Sequence, residues 1–312
     1  MRCAYVENQD PQDPLRGLRV GALADPGPPA DGWEAVTVRA AALNHHDLWS
    51  LRGVGLPADR LPMVLGTDAA GHTADGAEVV VHAVVSNPDW DGDETLDPSR
   101  TLLSERYHGT LAARVWVPRR NLVPKAPELT WAEAACLPTA YLTAYRMLTE
   151  AAGLRPGRTV LVQGAGGGVA TAAVVLGLAA GLRVWVTSRS EAKRRRATEL
   201  GAHGAFRTGE RLPEQVDAVL ETVGEATWGH SLRSLRPGGT VAVAGATSGP
   251  MPPAELNRVF FRSLRVVGTT MGTRAELADL QRFMVSAGVR PVVDDVLPLS
   301  GTGAALRRMA EG

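Results

Sequence analysis

The chain has 312 residues, enough for one large or two ordinary domains, and 45% of them are hydrophobic while only 5% are aromatic. Lysine plus arginine and aspartate plus glutamate balance at 33 each, so the net charge gives no reason to expect nucleic acid or an anionic membrane as a partner. The longest apolar stretch, near residues 170–180, is too short to span a bilayer, and no secretory leader is evident. These features predict a cytoplasmic α/β protein.

The two cysteines form neither a disulfide framework nor a metal-binding cluster. Cys136 stands among Ala134, Ala135 and Leu137, a setting typical of a small buried thiol. We assign no chemistry to it.

The first part of the chain is predicted to be rich in β-strands. Apolar or alternating runs at residues 1–6, 34–39, 78–85 and 111–117 indicate strands. Residues 86–106 are rich in Asp, Pro and Ser and predict a long surface loop.

Helices begin after this region. Thr130 and Glu133 have the spacing of a capping box and predict a helix through Cys136. A second helical run is expected over residues 139–152, before Gly153 and Pro156 end it.

A glycine-rich turn follows, and it predicts a nucleotide-binding unit. Residues 159–163 form an apolar strand, and residues 171–180 continue as a helix. Glycines let the backbone approach a pyrophosphate, while the N–H groups at the start of the helix face its negative charge. The predicted cofactor contacts in this turn are Gly164, Ala165, Gly166, Gly167, Gly168 and Val169.

The next predicted strand, at residues 182–187, favours NADP(H) over NAD(H) as the cofactor. No acidic residue ends the strand to bind the ribose hydroxyls of NAD, whereas Ser188, Arg189 and Lys193 offer a hydroxyl and two cations to a 2′-phosphate. Glu191 could bind ribose, or Ser188 and Glu191 could form a capping box for the next helix. The basic residues could also be a solvated helix start.

The remaining elements alternate between strands and helices. Their expected ranges are strands at 216–219, 239–244, 264–270 and 291–297, and helices at 228–235, 274–286 and 302–310.

Motifs in this order resemble the medium-chain dehydrogenase/reductases, and most of all their quinone-oxidoreductase and zinc-type alcohol-dehydrogenase-like branch. Besides the glycine turn, they are Asn44-x-x-Asp47, Gly66-Thr-Asp-x-x-Gly71, Leu142-Thr-Ala-Tyr145, Glu221-Thr-Val-Gly224, Pro237-Gly-Gly239 and residues 260–272. The resemblance implies an α/β fold with a GroES-like β-rich catalytic domain and a Rossmann doubly wound cofactor domain. The expected ranges are 1–120 and 121–273, with residues 274–312 returning to the catalytic domain.

The resemblance also implies site residues. Asn44 and Asp47 are expected at the nicotinamide end, although either could instead pin the local backbone. His46 is the candidate proton donor, because imidazole is the side chain that most often serves in general acid–base catalysis. We expect Trp49 and Thr67 to contact substrate; the further cofactor contacts implied are Thr143, Val223, Gly245 and Thr269.

Zinc is not expected. The three positions that hold catalytic zinc in the alcohol dehydrogenases of the family fall here at Asn44, Thr67 and Ala140, an amide, an alcohol and a methyl group. Without a strong Lewis acid, reduction of a conjugated carbonyl (enone or enal) or a quinone by NADPH is favoured over alcohol–ketone interconversion. An alcohol or aldehyde dehydrogenase, and a nucleotide-binding scaffold or redox sensor with little turnover, remain alternatives.

The partners expected are a small-molecule substrate and a second copy of the chain. By resemblance, the strand at 264–270 lies at the edge of the cofactor-domain sheet, where a two-fold related copy could pair with it. Its edge could instead be covered by residues 274–286 of the same chain.

Overall fold

The computed structural model describes all 312 residues, which divide into two compact units. The first unit contains Met1–Thr139, Thr273–Val285 and Pro291–Gly312, and the second contains Ala140–Gly272 and Ser286–Arg290.

The first unit is built mainly from short strands, as the sequence predicts. Five of them form an antiparallel sheet in the order β10-β6-β5-β3-β9, and the others form a three-stranded sheet, β2-β1-β4, and a pair, β7-β8. The run predicted at residues 78–85 is two short strands. The elements are β1 Arg2–Val6, β2 Leu18–Ala22, β3 Trp33–Ala42, α1 His45–Leu51, β4 Met63–Val64, β5 Asp68–His72, β6 Glu78–Val81, β7 Val84–Val85, β8 Thr101–Leu102, β9 Arg114–Pro118, β10 Leu122–Pro124 and α2 Trp131–Ala135.

Alternation of apolar residues along these strands builds the core of the first unit. Val36, Val81 and Val115 pack together inside the five-stranded sheet. A Cβ on Gly71 would lie 2.1 Å from the Thr37 carbonyl oxygen, so the close pairing of β3 with β5 requires glycine there. A second cluster holds α1 against the three-stranded sheet through Leu48 and its neighbours.

The second unit is a six-stranded parallel sheet with helices between its strands. The strand order is β13-β12-β11-β14-β15-β16. The chain enters the sheet at β11 in the middle, continues outward through β12 to β13, and then crosses back to form β14, β15 and β16 on the other side. This is the doubly wound arrangement predicted from the sequence. Its elements are α3 Leu142–Arg146, β11 Thr159–Val162, α4 Gly168–Ala179, β12 Arg183–Thr187, α5 Glu191–Glu199, β13 Gly204–Phe206, β14 Val216–Glu221, α6 Glu225–Ser234, β15 Leu235–Val243, α7 Leu256–Phe261 and β16 Arg265–Gly268.

The central strands of this sheet are almost continuously apolar because helices cover both faces. Leu161, Val219 and Val241 are fully buried and pack with Trp185 and Leu232.

The helices before the sheet begin and end close to the predicted positions. Glu133 accepts the Thr130 N–H at 2.8 Å, and the Thr130 hydroxyl accepts the Glu133 N–H at 3.3 Å, which confirms the capping box. The expected run at 139–152 is helical, with a π-helical turn on each side of α3. No helix of the chain combines the length and apolar character needed to cross a membrane.

The end of the chain forms α8, Arg274–Ser286, and α9, Thr302–Glu311, both as predicted. The Gln281 side chain of α8 accepts the Ala126 N–H at 2.9 Å and donates to the Pro124 carbonyl at 3.1 Å, within the first unit. The strand predicted at residues 291–297 is wrong: this segment is irregular, and Val296 and Leu297 are 69% and 44% exposed. Its three valines favour a strand, but no neighbouring strand pairs with the segment.

The division between units falls later than the boundary drawn at residue 120. Strand β10 pairs with β6, and α2 packs against β3 and β5, so residues 121–139 belong with the first unit by their contacts. The range 1–120 came from the family resemblance, whereas in this chain residues 121–139 add a strand and a helix to the first unit.

Candidate functional site

The glycine turn joins β11 to α4 as the sequence predicts. Gly164 and Gly166 have φ angles of +81° and +102°, which favour glycine. A Cβ on Gly164 would lie 2.7 Å from Val223 Cγ2, and a Cβ on Gly166 would lie 2.6 Å from Lys193 Cδ. Side chains therefore do not fit at either position without displacing a neighbour.

The first turn of α4 presents backbone N–H groups beside the glycine turn. Gly167 precedes the helix, which begins at Gly168 and continues through Val169. The first four N–H groups of a helix lack intrahelical partners, and this end of the helix dipole is positive. Ala165 is buried, and its N–H donates to the Thr187 carbonyl at 2.7 Å, tying the turn to β12. The arrangement can bind a pyrophosphate.

A second turn follows β12, and one detail of its prediction is wrong. The side chain of Ser190, not Ser188, caps α5, by accepting the Lys193 N–H at 3.3 Å. The Ser188 hydroxyl accepts the Ser190 N–H at 3.2 Å. Ser188 and Glu191 therefore form no capping box, because two further residues are needed to turn the chain from strand into helix.

Three cations lie at this second turn. Arg189 is exposed, and the aliphatic stem of Lys193 lies over Gly166. Arg194, to which the sequence analysis gave no role, donates to the carbonyls of Ser188 at 2.7 Å and Arg189 at 3.3 Å. Arg194 thus fixes the backbone of the turn, and Ser188, Arg189 and Lys193 are left in positions that suit a phosphate.

The remaining predicted cofactor contacts of the sheet lie beyond the carboxyl ends of its strands. Val223, Gly245 and Thr269 follow β14, β15 and β16, at the edge where β11 and β12 also end. Ligands of doubly wound sheets bind at this edge. The Thr269 hydroxyl is buried without a hydrogen-bond partner. Thr143 is buried in α3.

In the first unit, Asp47 holds the start of α1. Its carboxylate accepts the Asn44 N–H at 2.8 Å and the Gly66 N–H at 2.9 Å, and its side chain is fully buried. Burial raises the pKa of Asp47, and the two N–H groups oppose that shift. These contacts support the interpretation of Asp47 as a residue that ties down the backbone.

A group of side chains, which we call the Asp68 cluster, comprises the buried Asp68, Thr67 and Asn44 and the partly buried Thr139. The Asn44 amide donates to the Thr67 hydroxyl at 3.2 Å, the Thr67 and Thr139 hydroxyls lie 3.0 Å apart, and Thr139 donates to the Asp68 carboxylate. Burial raises the pKa of Asp68 to about 7, although hydrogen bonds from Thr139 and Asn44 oppose it. The other Asp68 oxygen is buried without a partner.

The sequence alone does not predict this cluster as a unit. Asp68 and Thr139 are 71 residues apart, and neither has a local pattern that predicts the contact. The adjacent Gly66-Thr-Asp motif marked one side of the cluster only.

His46 and Trp49 also lie on α1, and their side chains make contacts outside the Asp68 cluster. The His46 ring lies 3.1 Å from the Glu105 carboxylate and 3.3 Å from the Ser104 hydroxyl. Burial opposes ionisation of Glu105, but hydrogen bonds, chiefly from His46, outweigh it and lower the pKa of this carboxyl group. The Arg52 guanidinium lies 5.3 Å from the centre of the Trp49 ring.

The residues present do not fit a zinc ion. An amide, a hydroxyl and a methyl group occupy the three expected ligand positions, and nowhere do three His, Cys, Asp or Glu side chains gather as potential ligands. Zinc in proteins requires such nitrogen, sulfur or carboxylate donors.

Comparisons with known proteins agree with this architecture. Residues 168–286 match the family described as zinc-binding dehydrogenase. The chain is 30% identical to a zinc-type alcohol dehydrogenase-like protein of Leptosphaeria maculans, over 88% of this chain and 85% of the relative. It is 28% identical to a crotonyl-CoA reductase of Streptomyces avermitilis, over 94% and 79%.

A solved structure described as an NAD-dependent alcohol dehydrogenase superposes with a TM-score of 0.90 at 34% identity, covering 100% of this chain and 96% of the other. The predicted combination of a GroES-like domain with a Rossmann domain is confirmed by this similarity.

Proposed function

The chain belongs to the medium-chain dehydrogenase/reductase superfamily, and from this premise we propose that it is a zinc-independent, NADPH-dependent reductase of conjugated carbonyl compounds or quinones. The observation that carries the proposal is the pairing of a complete glycine turn with a set of side chains that cannot hold zinc. Similarity to a crotonyl-CoA reductase supports an enoyl thioester as one substrate class.

The second unit would hold NADPH, which supplies the hydride when bound. N–H groups of the glycine turn and of the start of α4 would bind the pyrophosphate. Ser188, Arg189 and Lys193 would bind the 2′-phosphate by charge-assisted hydrogen bonds. The unpartnered Thr269 hydroxyl offers a further contact at the same edge of the sheet.

The first unit would orient the substrate and return a proton. Hydride addition to the far carbon of a conjugated carbonyl leaves an enolate, and a proton then completes the reduced product. His46 is our proposed proton donor, because imidazole is the side chain that most often serves in general acid–base catalysis, and the Glu105 carboxylate, 3.1 Å away, can orient its ring. Thr67 and Trp49 are proposed substrate contacts, and Asn44, whose amide already donates to Thr67, would orient that hydroxyl.

An alcohol dehydrogenase is the second candidate function, because a structure of that description is 34% identical to this chain. The two functions differ in their need for a Lewis acid. Oxidation of an alcohol requires its proton to be removed, a step that zinc assists in alcohol dehydrogenases, whereas an enolate stabilises its own charge by delocalisation.

Purified protein without a tag should consume NADPH with an enoyl thioester, an enone or a quinone, and not with a saturated ketone. A chelator should leave the rate unchanged, since no side-chain set for zinc is present. The measurement is NADPH absorbance across this panel, together with elemental analysis. Stoichiometric zinc with chelator-sensitive oxidation of alcohols would establish the alternative.

We also propose that the protein is a homodimer through β16. This strand is at the end of the sheet and pairs only with β15. The N–H of Thr269 donates to Val243, and because donor direction alternates along a strand, the N–H groups of Val266 and Gly268 point to the open edge. An open edge favours pairing with a second copy.

The surface near this edge is apolar. Helix α7 has no buried residue, Phe260 and Phe261 are 59% and 80% exposed, and Val266 is 48% exposed. The Phe260 and Phe261 rings lie together, with centroids 4.4 Å apart, and exposed apolar groups of this kind mark interaction surfaces.

Val266→Lys should therefore shift the protein toward monomer in sedimentation, because it puts a charge on the apolar edge. The matched control is Val54→Lys, at a valine of the first unit that is 55% exposed. It should leave the sedimentation coefficient unchanged. Wild-type protein that is already monomeric at tens of micromolar concentration would overturn this proposal.

A further inference from the structure

Four buried side chains of the second unit form a hydrogen-bonded chain next to the candidate cofactor turns. The Thr187 hydroxyl donates to Gln163 Oε1, Gln163 Nε2 lies 2.9 Å from Ser231 Oγ, and Ser231 donates to Glu221 Oε2 at 2.6 Å. Gln163, Thr187, Ser231 and Glu221 are at most 1% exposed. We call this the Gln163 network.

The donor direction along this network is fixed by Glu221. Its carboxylate receives the N–H groups of Val223 at 2.8 Å and Gly224 at 3.0 Å and the Thr227 hydroxyl at 2.9 Å, so it acts only as an acceptor. The single Ser231 proton therefore goes to Glu221, and Ser231 must accept from Gln163 Nε2.

The second Gln163 N–H faces His230 Nδ1 at 2.9 Å, so this ring nitrogen must be unprotonated. His230 Nε2 then carries the proton and donates to the Glu210 carbonyl at 2.8 Å. The network is complete only when His230 is neutral.

Each end of the network adjoins a different cofactor turn. Gln163 immediately precedes Gly164, Thr187 immediately precedes Ser188, and Glu221 fixes the backbone of Val223, whose side chain packs on Gly164. A dinucleotide that binds both the glycine turn and the Ser188 turn depends on the distance between them.

We propose that Gln163 is a positioning residue that sets the separation of the two turns through Thr187 and Ser231, and that protonation of His230 disrupts this setting and weakens NADPH binding. The proposal rests on the proposed function only in its choice of cofactor. Buried side-chain networks of this kind restrict their members to one arrangement when every donor and acceptor is satisfied.

Acid should act through His230. Burial lowers its pKa from the usual 6.5, Arg233 lowers it further, and the Glu210 carbonyl and Glu221 raise it. Protonation would place an N–H at Nδ1 against the Gln163 N–H, so two donors would face each other. NADPH affinity should consequently fall below pH 6.5.

The test compares a ligand that spans both turns with one that reaches a single turn. Gln163→Met keeps the length of the side chain and removes its hydrogen bonds; Thr187→Val, a milder change, removes one. We expect the Kd of NADPH, from fluorescence titration, to rise by roughly tenfold or more for Gln163→Met and by less for Thr187→Val. The Kd of adenosine 2′-phosphate should change by less than about twofold, because this fragment binds only the Ser188 turn.

Gln281→Met is the matched control, because Gln281 is a buried glutamine that makes two hydrogen bonds within the first unit. It should lower the free energy of unfolding in urea without changing the ratio of the two Kd values. If Gln163→Met raised both Kd values by the same factor, its role would be general stability and the proposal would be overturned.

The pH arm uses His230→Asn, whose side-chain oxygen can still accept from Gln163 but does not titrate. As pH falls below 6.5, wild-type NADPH affinity should decrease by more than that of the variant, whose remaining decrease comes from protonation of the 2′-phosphate, a group with a pKa of about 6. An equilibrium fluorescence titration at each pH gives the Kd of NADPH for both proteins. Identical profiles for the two proteins would overturn the role of His230.

These outcomes separate the positioning role from the proposed reaction. If Gln163→Met raises the Kd of NADPH more than that of adenosine 2′-phosphate, as expected, but no conjugated substrate is reduced, the proposed function fails and the positioning role stands. If wild-type protein binds no NADPH, both are overturned.

Discussion

Asp68→Asn is expected to make the protein more stable at alkaline pH than the wild type. The pKa of Asp68 is raised from 3.8 to about 7, so the folded chain binds a proton there that the unfolded chain has released. Stability therefore falls as pH rises from 3.8 toward 7, and above that range ionised Asp68 costs about 4 kcal/mol. Asparagine has nearly the same shape and carries no charge, so the variant escapes this cost.

The measurement is the free energy of unfolding in urea at several pH values. Between about pH 5.5 and about pH 8.5 the wild type should lose about 2 kcal/mol relative to Asp68→Asn, the part of the titration that falls in this window. Asp25→Asn is the control, because the Trp116 indole N–H holds the pKa of Asp25 below its usual value and its charge is constant over this range. If the free energies of unfolding of the wild type and Asp68→Asn changed in parallel with pH, the pKa of Asp68 would be the same in the folded and unfolded chains, and this prediction would be wrong.

The Asp68 cluster has a consequence for the proposed chemistry as well. A carboxyl group that titrates near neutrality can act as donor or acceptor toward Thr139, whose side chain is only partly buried. The direction of the hydrogen bond between the Thr67 and Thr139 hydroxyls therefore depends on the protonation of Asp68, while the Asn44 amide donates to Thr67 in either state.

The features that the sequence predicted correctly are those whose causes are local. The glycine turn is one: an apolar strand, glycines with positive φ and a helix follow one another directly, and Gly164 and Gly166 have no room for side chains. The capping box at Thr130 is another, because its two hydrogen bonds join residues three apart. Such patterns need no knowledge of the rest of the fold.

The features that it missed depend on long-range contacts. The Gln163 network joins β11, β12, β14 and α6, and no spacing in the sequence indicates it. The valine-rich residues 291–297 show the converse, a local composition that favours a strand without a partner strand. The error at Ser188 has a third cause, since two serines precede α5 and only the geometry of the turn decides which one caps it.

Most of the candidate site in the first unit came from family resemblance, because isolated Asn, His and Thr side chains carry no specific pattern. The structure adds what each one contacts. Asp47 is held by two backbone N–H groups, while Asn44 and Thr67 share the Asp68 cluster. The residue types were enough to locate the candidate site in the first unit. Only the contacts distinguish a residue that ties down the backbone from one that could bind a substrate.

Cofactor choice is the second prediction with a large effect. Arg189→Ala should weaken NADPH binding by about 1.5–3 kcal/mol, or roughly 10- to 100-fold, and should scarcely change NADH binding. The reason is that the Arg189 guanidinium is exposed at the turn after β12, where it would make charge-assisted hydrogen bonds with the 2′-phosphate, a group that NADH lacks. Fluorescence titration of both cofactors measures the difference.

Arg195→Ala is the matched control for this change. Arg195 is an exposed arginine of the same helix start, so its removal lowers the local positive charge by the same amount. If the 2′-phosphate is bound by direct contact, the control should lose less than about threefold in NADPH affinity, since exposed charges at longer range are screened by salt. Equal losses for the two variants would mean that only the general positive potential attracts the phosphate. Equal losses of NADPH and NADH for Arg189→Ala would instead mean that Arg189 acts on a part common to both cofactors, and the basis for choosing NADPH would then be gone.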